Sequence, residues 1–409
     1  MAIIQPFKAL RPAPAKAAAV AAPPYDVLNS AEAAIQAGNN PDSFLHITKS
    51  EIDLPGITDI HTPEVYEKAK TNLKEFITKG VLLREEKPCY YIYELVMNGR
   101  TQTGLVAASS IDDYENDIIK KHEFTRPEKE QDRINHIRTS GAQTGNVFLA
   151  YRDVESINQL IDEWKKKTAL YDFTAQDGIS HRIWVIDDAA TIQLVSDLFL
   201  KDVPFTYIAD GHHRAASAAK VRRSLEAGYH ENANFFLTTL FPANQLHIMD
   251  YNRLVKDLNG YSESDFLRAL YDEFEVERMP AAFSPTRLHE FGLYLGGQWF
   301  KLTSKEGTYS DDPIGVLDVT ILSDKILDKL LGIKDQRTDK RIDFVGGIRG
   351  LHELEKRVDS GEMKLAVSLH PVSIQQLFDI ADSGNVMPPK STWFEPKLRD
   401  GLLTHLIYE

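Results

Sequence analysis

Apolar side chains at Val65, Ala69, Leu73 and Phe76 recur at helical spacing, and Gly80 follows as a stop. Runs rich in β-branched and aromatic residues at 89–97, 104–111 and 146–151 predict strands. Ile157, Leu160, Ile161 and Trp164 mark an amphipathic helix, 183–186 a short apolar strand, and 189–200 a further helix. Residues 205–209 read as a strand that runs straight into Asp210-Gly211, and a helix is expected from His212 to about Ala227, with Gly228 as its stop. Downstream the pattern gives a strand at 235–241 and a helix near 262–274. A hairpin of 291–295 and 299–302 is expected around Gly296-Gly297-Gln298, then helices near 316–331, 351–358 and 374–381. The alternation predicts an α/β protein of mixed α+β type, and no repeat at a fixed period is visible.

A chain of 409 residues exceeds what one hydrophobic core usually serves, so two or three domains are expected. Their borders are read as 1–100, 101–280 and 281–409, with 281–285 and 309–313 as linker candidates from their Pro, Ser and Asp content. Lys and Arg number 47 against 60 Asp and Glu, a formal net charge of −13, which counts against nucleic acid as a partner. The single cysteine, Cys89, rules out an intramolecular disulfide and a cysteine zinc site and suits a reducing, cytoplasmic compartment. No apolar run approaches the roughly 20 residues of a membrane helix. Residues 11–24, framed by prolines, read as an ordered extended arm and not a targeting signal.

The chemistry concentrates at Asp210-Gly211-His212-His213-Arg214. Gly211 permits a tight turn and close ligand approach. The helix start behind it offers unpaired N–H groups and the positive end of the dipole, an anion site before any side chain contributes. His212, His213 and Arg214 add cationic or donor groups at the same end, which is unfavourable unless an anion sits there. Asp210 is either the helix cap or a catalytic carboxylate. Adjacent helical positions point about 100° apart, so His212 and His213 do not share an ion, and no protein-held metal is expected.

That pentapeptide resembles the phosphate-binding Gly-x-x-Arg turn of the ParB/sulfiredoxin superfamily, in the Asp-Gly-x-His-Arg form of its free-serine kinases. Over nearly its full length the chain resembles a bacterial and archaeal family, domain of unknown function family 1015. The stretches that carry this are Ala22-Pro23-Pro24-Tyr25-Asp26-Val27, Asn40-Pro41-Asp42-Ser43-Phe44-Leu45, Lys121-His122-Glu123-Phe124-Thr125-Arg126-Pro127 and Met387-Pro388-Pro389-Lys390-Ser391-Thr392-Trp393-Phe394-Glu395-Pro396-Lys397. The resemblance implies a ParB/sulfiredoxin-like core with N-terminal and C-terminal extensions. It implies phosphoryl transfer between ADP or ATP, carried with Mg2+, and free serine or O-phosphoserine. The kinases use a glutamate upstream of the turn as general base, and Glu123 is the candidate here. An insertion near 156–200 would account for its long separation from Asp210.

In the residues themselves, Glu123 can take a hydroxyl proton and Arg126 can clamp a phosphate or carboxylate, with His122 beside them. Whether Glu123 or Asp210 is the base stays open, and His213 is the third catalytic candidate. Gly211, His212, Arg214, Arg126 and Lys390 are the phosphate-binding candidates, and Ser391, Thr392, Trp393 and His122 the substrate-binding ones. Lys390 offers a point charge, Ser391 and Thr392 two hydroxyls on a stiff proline frame, and Trp393 a stacking surface. Arg133, Asn135 and His136 are expected to line the same cleft, and Gly346-Gly347 is either a place where backbone approaches a ligand or a simple strand-to-helix turn before Leu351. A ParB-type nucleotide switch without small-molecule catalysis is the alternative. Partners are a small molecule and a nucleotide, with a homodimer allowed.

Overall fold

Asn98 and Gly99 both take positive φ, 53° and 77°, the geometry of a tight hairpin turn whose twist matches that of its strands. That hairpin is the middle of the principal sheet in this computed structural model, which describes residues 1–225 and 230–408. Among the described residues the sheet has nine strands: β1 (Ile4–Gln5), β2 (Tyr90–Met97), β3 (Arg100–Ser110), β4 (Ile119–Lys120), β5 (Val147–Tyr151), β6 (Tyr171–Thr174), β7 (Ser180–Ile186), β8 (Thr206–Asp210) and β9 (Phe235–Pro242). Their order is β4-β8-β5-β9-β3-β2-β7-β6, with β1 on β3. Two pairs, β4 with β8 and β5 with β9, are parallel, and the rest antiparallel.

Five longer helices pack around this sheet: α1 (Pro63–Thr78), α2 (Pro127–Ser140), α3 (Glu155–Trp164), α4 (Ala189–Asp202) and α5 (His212–Ser224). The main core joins Tyr90, Ile92, Leu105 and Leu149 of the strands to Ile157, Ile161, Val195, Phe199 and Ala215 of α3, α4 and α5. Each fully buried side chain of this size contributes about 1.5–3 kcal/mol. A second core gathers Leu10, Val20, Phe44 and Leu45 with Leu73 and Phe76 of α1. The small face of α5 lets α2 approach closely, and Ile134 and Ile137 meet Val221 there.

The chain divides into two units, Met1–Leu246 with Pro396–Glu409, and His247–Glu395. The β2–β3 hairpin spans the border expected at residue 100, with Met97 opposite Arg100. The second unit carries a six-stranded antiparallel sheet of β10 (Tyr251–Val255), β11 (Phe274–Met279), β12 (Glu290–Leu295), β13 (Gln298–Ser304), β14 (Ile342–Gly346) and β15 (Leu365–Leu369), ordered β11-β13-β12-β15-β10-β14. Both linker candidates are loops inside this unit.

The class is mixed α/β, as the alternation predicts. Most elements fall where the pattern places them, and the departures have local causes. Residues 11–24 are not an extended arm, since alanine favours the short helix Ala17–Val20 that buries Ala17 and Val20. The helix near 262–274 stops at Leu270, and Phe274 opens β11. The span 156–200 builds α3, β6, β7 and α4, so it extends the sheet past β2. Ala227 and Gly228 lie outside the described residues. No helix among the described residues is long and apolar enough to cross a membrane.

Five histidines of the first unit are buried: His122, His136, His181, His212 and His405. Burial pushes His122, His136 and His405 down to about 4, His181 to about 3, and His212 well below its usual value. The unfolded chain takes up these protons near pH 6.5, more than two units above the folded one, so stability falls as pH drops through that window. Asp400, pushed up to about 7 chiefly by burial, works in the opposite sense and offsets part of it. Thermal melts should lose midpoint steeply between pH 6.5 and 4, and His405→Gln should flatten the slope. A flat wild-type profile over that range would contradict the assignment.

Candidate functional site

The turn is shaped by the sheet before any functional side chain is considered. In β8, Ile208 pairs with Leu149 but Asp210 with Phe148, so the ladder slips just ahead of the turn. Such irregularities re-aim the residue that follows. Gly211 then adopts φ 99° and ψ 28°, left-handed backbone that favours glycine. A Cβ there would lie 3.3 Å from the Cα of Val147, so even alanine is opposed by both strain and contact. Gly211 is itself the N-cap of α5 and, having no side chain, caps none of the first amides of that helix. Asp210 is therefore not the cap. Its Oδ2 accepts a hydrogen bond from Lys397 Nζ at 3.1 Å. Burial pushes the Asp210 carboxyl up, but the charges of Lys397 and Arg214 outweigh it and hold it well below the usual carboxylate range.

The cationic crowding read from the sequence is relieved within the protein. His212 is buried and His213 partly so, and burial lowers both, which keeps the imidazoles neutral. Arg214 is buried as well. Its Nη2 donates to Asp26 Oδ2 at 3.0 Å and its Nη1 to the Asn146 carbonyl. Burial works against the guanidinium charge, yet Asp26 and Asp210 raise it further above its ordinary value. A helix start with neutral histidines and a paired arginine needs no anion for its own stability. What it keeps is a row of uncapped amides behind a glycine turn.

The parallel pairing of β4 with β8 sets Thr206 opposite Ile119 and Tyr207 opposite Lys120, so residues 121–126 leave the sheet beside the turn. The His122 and His212 rings meet edge to face at 4.6 Å, and the His122 amide donates to His212 Nε2 at 3.5 Å. The ligating atoms of His122, Glu123 and His212 all lie within 4.8 Å of one another. Glu123 thus sits at the head of α5, far as it is along the chain from Asp210. The Arg126 amide donates to His213 Nε2 at 3.0 Å, while its side chain is exposed.

On the neighbouring face, a cleft of about 410 Å³ is lined by Tyr25, Asp26, Lys49, His61, Arg133 and His136 among others. The Arg133 guanidinium lies 3.9 Å from the Tyr25 ring centre and bonds Asp132. Arg133 and His136 thus line a cleft with Tyr25, and Asn135, His122, Glu123 and Arg126 are not among the residues that line it. Asp26 and Lys397 lie inside two of the stretches singled out in the sequence, though neither was given a role at the turn. Asn146 contributes through a backbone carbonyl and Asp400 from near the chain end, and neither carries a local signal.

Lys390, Ser391, Thr392 and Trp393 belong to the second unit. There Lys390 has φ 61°, and its carbonyl accepts from Arg253 Nη2 at 3.0 Å. Ser391 Oγ donates to the Pro388 carbonyl at 2.5 Å, and Thr392 is half-buried. Trp393 packs on Tyr251 with ring centres 5.0 Å apart. The approach that Gly346-Gly347 permits is to the chain itself: a Cβ on Gly346 would meet the Trp393 ring at 2.8 Å, and one on Gly347 would meet Asp250 at 1.9 Å.

Solved structures with a loose likeness include a free serine kinase in complex with AMP, at 13% identity and TM-score 0.37, covering 72% of this chain and 91% of that one. A conserved hypothetical protein from Pyrococcus furiosus gives 15% identity and TM-score 0.37, with 73% and 94% covered. SbnI with C-terminal truncation from Staphylococcus aureus gives 9% and 0.39, with 72% and 85% covered. No curated protein matches in sequence. One family description, "Protein of unknown function (DUF1015)", matches residues 4–320, well over half of the sequence, and the chain belongs to that family.

Proposed function

We propose that this protein is a phosphotransferase that moves a phosphoryl group between a nucleotide, ADP or ATP, and free L-serine or O-phosphoserine. The observation that supports it most is the placement of Glu123 against His212 at the head of α5, beside the Gly211 turn. A phosphate on the uncapped amides would meet the helix dipole and hydrogen-bond donors fixed in advance. Its oxygens would compete with Asp26 for Arg214 Nη2, which with the unpartnered Nε forms a fork that can hold a phosphate bidentately. Of the two candidate bases Glu123 is preferred. Asp210 is bonded to Lys397 and held ionised, so it is a poor proton acceptor. His213 is neutral and serves this reading as a donor rather than a cation. A magnesium ion would draw mainly on the nucleotide's own oxygens, since Asp210 and Asp26 are already bonded to Lys397 and Arg214. The amino acid would enter from the cleft beside Asp26.

The direct test is to follow phosphorus NMR with a panel of nucleotides and either serine or O-phosphoserine. Transfer in either direction supports the reading, and tight nucleotide binding without transfer favours a ParB-type switch. Glu123→Gln should lower turnover about a hundredfold while leaving nucleotide affinity nearly unchanged. Near-normal turnover would remove Glu123 as the base.

Arg214→Lys keeps the charge but loses the planar fork, and should weaken nucleotide binding about tenfold, measured by calorimetry. Gly211→Ala should weaken it as well, through the strained turn. Unchanged affinity in both variants would move the phosphate away from this turn.

A further inference from the structure

We propose that His122, Glu123 and His212 form a binding site for one divalent transition ion of the zinc type. The inference does not depend on the phosphotransferase reading, whose base, Glu123, would be a ligand while the ion is bound. It begins with geometry: two imidazoles and a carboxylate converge so that their ligating atoms lie within 4.8 Å of one another. A tetrahedral ion with bonds of about 2.0–2.1 Å spaces its ligands by about 3.4 Å, within reach of small side-chain rotations.

A second observation is independent of that convergence. His122 is buried, yet its Nδ1 has no hydrogen-bond partner. A buried ring nitrogen without a partner, on a residue that converges with a second imidazole and a carboxylate, is a group that a bound ion would satisfy. In a metal-free protein the same arrangement is an uncompensated buried acceptor.

The framework is rigid where it needs to be. His122 follows β4 and His212 opens α5, and the parallel β4–β8 pair fixes the two starting points. Glu123 supplies one negative charge, and Asp210 is balanced by Lys397. Nitrogen ligands disfavour Mg2+ and Ca2+ and suit Zn2+, Co2+ or Fe2+. Three protein ligands leave a coordination position open on the half-exposed side of Glu123. An anionic ligand oxygen at the head of α5 could take that position.

The test uses the full chain, stripped with a chelator and without nucleotide. Co2+ is titrated in by visible absorption, and Zn2+ by calorimetry. One equivalent should bind, with the visible bands of low-coordinate Co2+. His122→Ala should abolish those bands. Glu123→Gln, whose side chain is half exposed and whose fold is not in question, should weaken uptake about tenfold or more. His213→Ala, next to the cluster but outside it, should bind within twofold of wild type. No stoichiometric uptake by the wild type would overturn the site, as would equal weakening in His213→Ala and Glu123→Gln. Because no nucleotide is present, failure here leaves phosphoryl transfer to be judged by its own NMR assay.

Discussion

A guanidinium enclosed in protein must find acceptors, because leaving one partner unmet costs several kcal/mol. Arg214 draws on three remote parts of the first unit, and its Nε is left buried without a hydrogen-bond partner. Asp26 comes from the N-terminal segment, the Asn146 carbonyl from the residue before β5, and Asp400 stands close by from the C-terminal return. Ala22 and Asp400 also exchange backbone hydrogen bonds, at 3.1 and 2.9 Å, which fixes the two ends against each other. Two carboxylates beside one arginine cannot be equally well served. Asp400 is the one driven up, to about 7, by burial and by the nearby Asp26.

The same arrangement bears on how the turn can work. With Arg214 engaged and the histidines neutral, the standing capacity for an anion lies in the amides of α5 and not in side-chain charge. On the proposed reading a phosphate must draw Arg214 from Asp26, so ligand binding and the position of the N-terminal segment are linked through one hydrogen bond. Selectivity for a phosphorylated ligand over a simple anion would follow from that competition.

Much of this was legible in the residues. The periodic spacing from Val65 to Phe76 yields α1, and the strand–Asp–Gly–helix pattern yields β8 and α5, because local propensity and burial agree there. Glu123 could be named from its neighbours, but its approach to His212 depends on β4 pairing with β8, a contact between strands of only two and five residues. The return of residues 396–409 to the first unit carries no periodic signal at all. Asp210 was misread as a possible cap because the residue before a glycine turn resembles one. Lys397, which claims it instead, is distant in sequence. Gly346 and Gly347 show the converse: glycine marks close approach correctly, but the neighbour is a tryptophan and an aspartate of the same chain.

The interleaving of the two units sets an order of events during synthesis. Residues 142–143 pair with 405–406, and Leu10 exchanges backbone bonds with Thr404. The first unit therefore has every strand of its principal sheet made long before the segment that completes it leaves the ribosome, with the whole of His247–Glu395 emerging in between. Until then the backbone of Leu10 and Ala142 has an open edge and Arg214 lacks one of its neighbours. A nascent chain in that state depends on the second unit folding promptly, so that the closing segment is delivered before the exposed edge finds another strand.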